Sequence, residues 1–438
     1  MEAAVSRVSA GSLVLAAAIP FLFLHVHYQP DLGFSAGGTH VDVSLSDLAV
    51  LAVAVAGLAA GATSGFGPLR RGLPVWIAAA VLLAVVLLSL SYPVLRDEPY
   101  DWHARLVSAL KLCEYAALAL AVPLIVRSRD DARLPFRALA GWSAVVTGIG
   151  VLQYLGVVHQ FLGRRPAERE PSLLGYHDFA ALSGGALALA IVALALTDDD
   201  LIGRVWVYVA LVAGGLGIVV SGAMTGVIGM WLALGTLALV AWRRGRLTRR
   251  ATAILATAAV LVTLGTAGIR GTALRDFAAF LGLHRNETPG AVESYAQRTL
   301  LGYIGLRIFT AHPLTGVGFQ GSSDEWAYRP QLAAAHRRFP GQPDEAFPSP
   351  QHPWGVQTLY VQVLADLGLI GAAALVALFV AALATGLGLR GGGASTVPLV
   401  GVAWLLVAAG VWIGIGLVPG IPLAALTWLG LGLVTVRE

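Results

Sequence analysis

Long apolar stretches separated by short polar segments dominate the sequence. A membrane-spanning helix needs about 20 mostly apolar residues. Residues 205–242 are too long for one such helix, and Ser221 and Gly222 offer a turn at which we divide them. The stretches that then approach the required length are 9–26, 45–63, 74–92, 106–126, 137–157, 177–197, 205–221, 224–242, 251–270, 356–386, 396–414 and 416–435. The pattern predicts an all-α, polytopic integral membrane protein with about twelve transmembrane helices.

These stretches divide the chain into three parts. Residues 1–270 hold spans 1–9, residues 271–355 form one long polar loop, and residues 356–438 hold spans 10–12. Within the loop, the apolar positions between residues 300 and 308 predict an amphipathic helix. We expect this helix to lie on the membrane surface, with Arg307 reaching the lipid headgroups.

The composition agrees with a membrane protein. Hydrophobic residues make up 57% of the 438 residues and charged residues 12%, with a mean hydropathy of +0.75. Soluble domains carry roughly 25% charged residues, so a soluble or disordered chain is excluded. The net charge of +4 is small and scattered, so no nucleic-acid partner is expected. A single cysteine, Cys113, excludes a disulfide framework.

The distribution of arginine predicts the orientation. If the N-terminus is cytoplasmic, the inside loops and termini hold 15 arginines and the short outside loops five. Cytoplasmic loops carry the excess of Lys and Arg, so both termini are predicted to be cytoplasmic. Residues 271–355 are then extracytoplasmic. All ten histidines also fall at or beyond the outer membrane edge, so the working site is expected there.

Three groups of residues are candidates for chemistry. The outer loop carries Arg164, Arg165 and Arg169, whose guanidinium groups suit phosphate oxygens. A solvated surface in which they pair with neighbouring glutamates is the alternative. Arg298, before the amphipathic stretch, is a second candidate.

The third group consists of charges within predicted spans. Lys111, Glu114 and Asp366 are ionisable groups in apolar stretches, and such groups commonly mark functional sites. Lys111 and Glu114 are three residues apart on one helix face, so an ion pair that only stabilises the fold is the alternative.

Several catalytic motifs are absent from the sequence. It contains no phosphate-binding glycine loop, no HExxH metal motif and no Gly-x-Ser-x-Gly elbow. No cofactor and no metal are therefore expected.

Two segments carry a resemblance to a known family. Residues 297–319 read QRTLLGYIGLRIFTAHPLTGVGF and residues 357–371 read QTLYVQVLADLGLIG. They resemble the segments HPLxGVG and HNxYLQxLxExGxxG of the bacterial O-antigen ligase and polymerase superfamily. The general layout of the chain is also similar to that family.

The resemblance implies a metal-independent, inverting glycosyltransferase in the bacterial inner membrane with an extracytoplasmic active site. Such enzymes move a glycan from undecaprenyl diphosphate to lipid A–core, in lipopolysaccharide assembly, or to another saccharide as polymerases do. Membrane lipids surround them. The resemblance implies that arginines hold the diphosphate and that a histidine helps to deprotonate the acceptor hydroxyl. The residues expected to bind diphosphate are Arg298, Arg164, Arg165, Arg169 and Lys111.

The chain departs from the family pattern at two positions. Gln357 stands where the motif has histidine, and glutamine cannot act as a general base. Met224 stands where an arginine often follows a serine. We therefore expect His352, or else His336, to be the catalytic base. The alternatives are that His352 is an interfacial loop residue and that departure of the diphosphate carries the catalysis without a protein base. The predicted supporting residues are Glu114, Gln357, Tyr360, Asp366, His177 and His312.

A secondary transporter or a lipid-linked glycan flippase is the alternative of another class. Transporters concentrate ionisable groups near the bilayer midplane. In this sequence the polar groups gather at one predicted face, which favours a one-sided enzyme.

Overall fold

The computed structural model describes residues 9–30, 32–36, 39–163, 166–196, 201–283, 294–389 and 395–437. Helices account for most of this part of the chain. They are α1 (Ala10–Leu22), α2 (Leu45–Ser64), α3 (Leu73–Ser89), α4 (Ser91–Val94), α5 (Trp102–Ile125), α6 (Arg129–Tyr154), α7 (Tyr176–Leu196), α8 (Arg204–Ser221), α9 (Met224–Arg243), α10 (Arg249–Ile269), α11 (Gly271–Phe280), α12 (Ser294–Ala311), α13 (Glu325–Arg338), α14 (Leu359–Gly386), α15 (Thr396–Val411) and α16 (Pro422–Leu433).

The helices confirm the predicted fold class. Within the described ranges, nine helical segments are long and apolar enough to cross a membrane. The helices α1, α15 and α16 are apolar but shorter. The chain is therefore a polytopic all-α membrane protein, while the number of spans stays a prediction.

The predicted division of residues 205–242 is confirmed. Helix α8 ends at Ser221, Gly222 adopts a left-handed conformation with φ of 58°, and α9 begins at Met224. Glycine reaches positive φ without the steric cost of a Cβ. Helix α7 packs against both α8 and α9.

One short hairpin was not predicted from the sequence. Strands β1 (Leu32–Ala36) and β2 (Thr39–Val43) pair antiparallel between α1 and α2, with Leu32 opposite Val43. With five residues each, the strands leave too short an alternating pattern to stand out beside the apolar stretches.

Arginines gather at one end of the helical bundle. Arg127 donates hydrogen bonds to the carbonyls of Ala60, Ser64 and Gly65 at the end of α2. Other arginines at this end also donate hydrogen bonds to backbone carbonyls of neighbouring segments. These are Arg71 to Val436, Arg137 to Ile202 and Arg246 to Leu196. Cationic donors at helix C-termini satisfy free carbonyls and complement the helix dipole. We call this end the arginine face.

The described residues of the long loop, 271–283 and 294–355, gather at the opposite end, which we call the long-loop face. Tyr100, before α5, donates a hydrogen bond to the carbonyl of Phe319 at 2.7 Å. Arg105, in the first turn of α5, forms an ion pair with Asp324 at 3.0 Å. These contacts hold the long segment against the bundle.

The apolar side of α12 does not face lipid as expected, while the position of this helix at the membrane surface stays a prediction. Leu300, Leu301, Ile304 and Ile308 are at most 2% exposed and form a second apolar core with α13. Ala365 of α14 belongs to the same core. The apolar side of α12 therefore packs on protein, and Arg307 donates to Gln331 of α13 at 3.3 Å.

The two family-like segments pack directly on each other. Helix α14 is kinked at Gly368, where φ is 63°, and Gly316 lies against the backbone of Asp366. The amides of Val317 and Gly318 donate to the carbonyls of Ala365 and Asp366 at 3.0 and 2.9 Å. Both positions need glycine. A Cβ on Gly316 would lie 2.3 Å from the backbone of Asp366, and a Cβ on Gly368 would lie 2.3 Å from the backbone of Leu314.

Helices α9 and α15 approach at backbone distance. A Cβ added to Gly410 would lie 2.3 Å from the Cα of Gly229, so both positions require glycine. Small residues permit this close packing of membrane helices. The contact sets the start of α9 beside the segment that follows α15.

Candidate functional site

Polar side chains converge at the long-loop face, where several bundle helices begin or end. His177 lies in the first turn of α7, Thr225 in the first turn of α9, and Arg270 directly after α10. Helix α12 places Arg298 over these helix ends. Helix ends thus position His177, Thr225 and Arg270.

Arg298 links two parts of this site. Its Nη2 lies 3.0 Å from Nε2 of His177, and its Nε donates to Oε1 of Gln357 at 3.3 Å. A guanidinium group has only donors, so Nε2 of His177 accepts and the proton of the neutral ring is on Nδ1. The structure therefore brings together three of the residues that the sequence nominated.

Two further arginines lie beside the same imidazole. Arg169 and Arg270 both interact electrostatically with His177, as Arg298 does. A Cβ added to Gly222 would lie 2.7 Å from Cβ of Arg169 and 3.4 Å from Cδ of Arg270. The missing side chain at Gly222 lets the two arginines approach each other.

Aromatic rings orient these two arginines. The guanidinium of Arg169, which is 8% exposed, lies 4.1 Å from the ring centre of Tyr176. Arg270 lies 4.9 Å from the ring centre of Tyr295 and donates from Nε to its hydroxyl at 3.3 Å. Stacking on aromatic faces restrains a guanidinium group while its edge remains able to donate.

The inner side of the His177 ring is closely packed. A Cβ added to Gly414 would lie 2.8 Å from Cε1 and 3.2 Å from Nδ1 of His177, and 2.8 Å from Cγ2 of Thr225. Both Nδ1 of His177 and Oγ1 of Thr225 are buried and have no hydrogen-bond partner among the described residues. Buried polar atoms normally find a partner.

Lys111 and Glu114 belong to a different cluster. Nζ of Lys111 lies 3.1 Å from both carboxylate oxygens of Asp47, joining α5 to α2. Glu114 interacts electrostatically with the same two charges. The structure thus gives Lys111 an acidic partner within the bundle.

Asp366 and Tyr360 make contacts that organise the fold. Asp366 is 2% exposed and accepts hydrogen bonds from the amides of Gln320 and Ser322 and from Nε2 of Gln362. The Tyr360 hydroxyl donates to the carbonyl of Ala409 at 2.7 Å. Asp366 therefore holds the loop that follows the HPLTGVG segment.

The other nominated histidines have different neighbours. His352 is exposed and stacks on Trp354 at 5.9 Å, and His336 is exposed and stacks on Phe347 at 3.8 Å. The pKa of His312 is lowered by burial, then by the charge of nearby Arg96. Arg164 and Arg165 lie outside the described residues.

Three members of the site were missed by sequence reasoning. Arg270 is the last residue of a predicted span, and its position at the outer end was a usable signal. Thr225 and Gly414 carry no local signal, because their role depends on the contact between α9 and α15.

Part of the site lies in a segment that matches a known protein family. Residues 209–376 match the family model described as O-antigen ligase. The matched segment includes Thr225, Arg270, Arg298 and Gln357, while His177 precedes it and Gly414 follows it. No curated protein matches the sequence.

Proposed function

We propose that the chain, whose residues 209–376 match the O-antigen ligase family model, is a membrane enzyme of lipid-linked glycan transfer and that its donor is a glycan on a polyprenyl diphosphate. The acceptor is a hydroxyl group of a lipid or a saccharide. The reaction needs no metal and inverts the anomeric centre of the transferred sugar.

The convergence of Arg169, Arg270 and Arg298 on one imidazole is the observation that carries this proposal. A glycan-linked diphosphate bears two negative charges, and a third develops as the sugar–oxygen bond breaks. Donors aimed at the place where charge develops stabilise the transition state more than the ground state. The three guanidinium groups supply such donors without a metal ion.

The location of the cluster suits a membrane-anchored donor. The arginines lie where helices of the bundle end, which is the depth of lipid headgroups. The diphosphate would lie at this depth while the polyprenyl chain stays in the bilayer. We place the long-loop face outside the cytoplasm, because the short loops and termini of the opposite face hold 15 arginines and the short loops of this face hold five.

Ligation to a lipid and polymerisation of saccharide units use the same donor chemistry. The arginine cluster supports both, and ligation is our first choice by family. A flippase would also bind the diphosphate, but it would leave the bond between sugar and phosphate intact. Cleavage of that bond is therefore the property to measure.

The experiment uses purified protein in lipid nanodiscs, a polyprenyl-diphosphate glycan and a candidate acceptor. Free polyprenyl diphosphate should accumulate, with or without a metal chelator. Removing one donor of this kind typically costs about 10²–10³ in rate, and we expect Arg298→Ala to show that loss. Arg298→Lys should rescue poorly, because an ammonium group cannot replace the bidentate fork.

Arg329 provides a matched control. It is an arginine of the neighbouring α13, with a side chain that is 75% exposed and paired with Glu325 at 3.5 Å. Arg329→Ala should keep full activity. Equal activity of the Arg298→Ala and wild-type proteins would contradict the assignment of the diphosphate site.

A further inference from the structure

Glutamine at position 357 leaves the proposed reaction without an evident base. A sugar hydroxyl is a poor nucleophile near neutral pH, and a well-placed general base contributes about 10²–10⁴ in rate. Gln357 has no basic nitrogen. Under the proposed function, on which the identity of the base rests, another residue must take the proton.

Two side chains from distant parts of the chain contact the guanidinium of Arg298. Gln357 precedes α14, and His177 comes from α7, yet Arg298 lies within 3.3 Å of the first and 3.0 Å of the second. A histidine at position 357 would therefore face the same arginine that His177 faces. In this chain the imidazole beside Arg298 is supplied by α7.

The His177 ring presents its basic nitrogen toward the arginine cluster. Nε2 accepts from Arg298, so Nδ1 carries the hydrogen of the neutral ring. Nδ1 is buried on the opposite edge, next to Gly414. Once Arg298 releases it, the lone pair on Nε2 is available to an acceptor hydroxyl that reaches the anomeric carbon from the side opposite the diphosphate.

Thr225 lies where it can support the buried edge of the ring. A Cβ added to Gly414 would lie 2.8 Å from Cγ2 of Thr225 and 3.2 Å from Nδ1 of His177, so both side chains border the same position. The hydroxyl oxygen of Thr225 is buried and has no hydrogen-bond partner among the residues described. Rotation of the threonine side chain would bring this oxygen toward Nδ1–H, which fixes the orientation of the imidazole.

We propose that His177 is the general base of this enzyme, with Thr225 as its positioning residue. When the donor binds, Arg298 turns its N–H groups from His177 to the diphosphate, which frees Nε2. The acceptor hydroxyl gives its proton to Nε2, and its oxygen forms a bond to the anomeric carbon of the donor sugar. The bond from that carbon to the phosphate oxygen breaks, and its electron pair leaves with polyprenyl diphosphate.

The charges in the site are compatible with this sequence of events. Protonation makes His177 positive beside three arginines, which is unfavourable while the site is empty. The diphosphate brings negative charge to the same place. The base therefore works when the donor is bound, and the proton passes afterwards to water or to the departing diphosphate.

The experiment compares His177→Gln with wild type. Glutamine offers Arg298 an acceptor but has no basic nitrogen, so it separates catalysis from positioning. We expect turnover to fall by about 10²–10⁴, with loss of the acidic limb of the pH–rate profile. Binding of a fluorescent polyprenyl-diphosphate analogue should change little. The double variant His177→Gln/Gln357→His should turn over at least tenfold faster than His177→Gln, since position 357 contacts the same arginine.

Three results would count against the inference. Wild-type turnover in His177→Gln would overturn it, and so would a parallel loss of donor binding and turnover. Loss of activity in His352→Gln or His336→Gln, with His177→Gln unaffected, would transfer the role to that histidine. If the wild-type protein released no polyprenyl diphosphate at all, the proposed function itself would fail instead.

Discussion

Gly414 offers a way to displace His177 without altering any polar group. An alanine Cβ at this position would lie 2.8 Å from Cε1 of His177 and 2.8 Å from Cγ2 of Thr225. Each distance is at least 0.6 Å shorter than the 3.4 Å at which ordinary contact begins. Gly414 is buried, and its neighbour Ile415 accepts a hydrogen bond from the Leu359 amide at 2.9 Å. The backbone has little room to withdraw, so the two side chains must move.

The size of the effect follows from this displacement. Overpacking of this kind costs about 1–3 kcal/mol of stability. A misplacement of about 1 Å in a catalytic group costs about 10²-fold in rate. We therefore expect Gly414→Ala to fold with reduced stability and to lose about 10²-fold in turnover. Donor binding should be retained, because the atoms nearest the new methyl group belong to His177 and Thr225 and not to an arginine.

Two variants make the test specific. A Cβ at Gly268, near the end of α10, would meet no atom within 4 Å, so Gly268→Ala should keep wild-type turnover. Thr225→Ser removes the methyl group that the new Cβ meets, so the Gly414→Ala/Thr225→Ser variant should recover part of the lost rate. Wild-type turnover in Gly414→Ala would refute the argument that the packing of His177 controls catalysis.

Three further predictions concern other parts of the structure. Asp366→Ala leaves the amides of Gln320 and Ser322 without their acceptor, at about 1–3 kcal/mol for each buried group, and should lower the thermal unfolding temperature substantially. Lys111→Met leaves the charge of Asp47 without its partner and should lower stability by up to about 3 kcal/mol. The Kd for the donor should be unchanged, and an increased Kd would show that Lys111 binds diphosphate. The pKa of His25 is lowered from 6.5 by burial, then by the charge of His27, so the neutral ring is favoured in the folded state and stability should fall as the pH drops through about 6.5. Thermal unfolding at about pH 7.5 and pH 5.5 should show a smaller difference for His25→Phe than for wild type.

The fold was predictable where the signal is local. Apolar length and a glycine at a turn sufficed to place the division at Gly222. The helix around Leu300 was also found, but its environment was misjudged, because an apolar helix side packs equally well on lipid or on protein. Its partner α13 carries three arginines, a histidine and a glutamate, and nothing local indicates that it covers α12.

The candidate site was only partly predictable for the same physical reason. Arg298, Arg169 and His177 were nominated because each is a polar residue in an unusual place. Their arrangement depends on tertiary contacts, such as the one between Arg298 and His177, which are separated by 121 positions. Periodicity and spacing do not encode such a contact. Asp366 was nominated as a charge within a span, whereas its carboxylate is occupied by the backbone of a neighbouring loop.

We propose that the arginine cluster supports transfer of a glycan from a polyprenyl diphosphate. The most direct measurement is a time course with purified wild-type protein, chelator and acceptor, in which free polyprenyl diphosphate and glycosylated acceptor are quantified together. We expect the two products to appear in equal amounts and both to fall about 10²–10³-fold in Arg298→Ala. Donor that remains intact in the presence of acceptor, or equal product formation by both proteins, would contradict it.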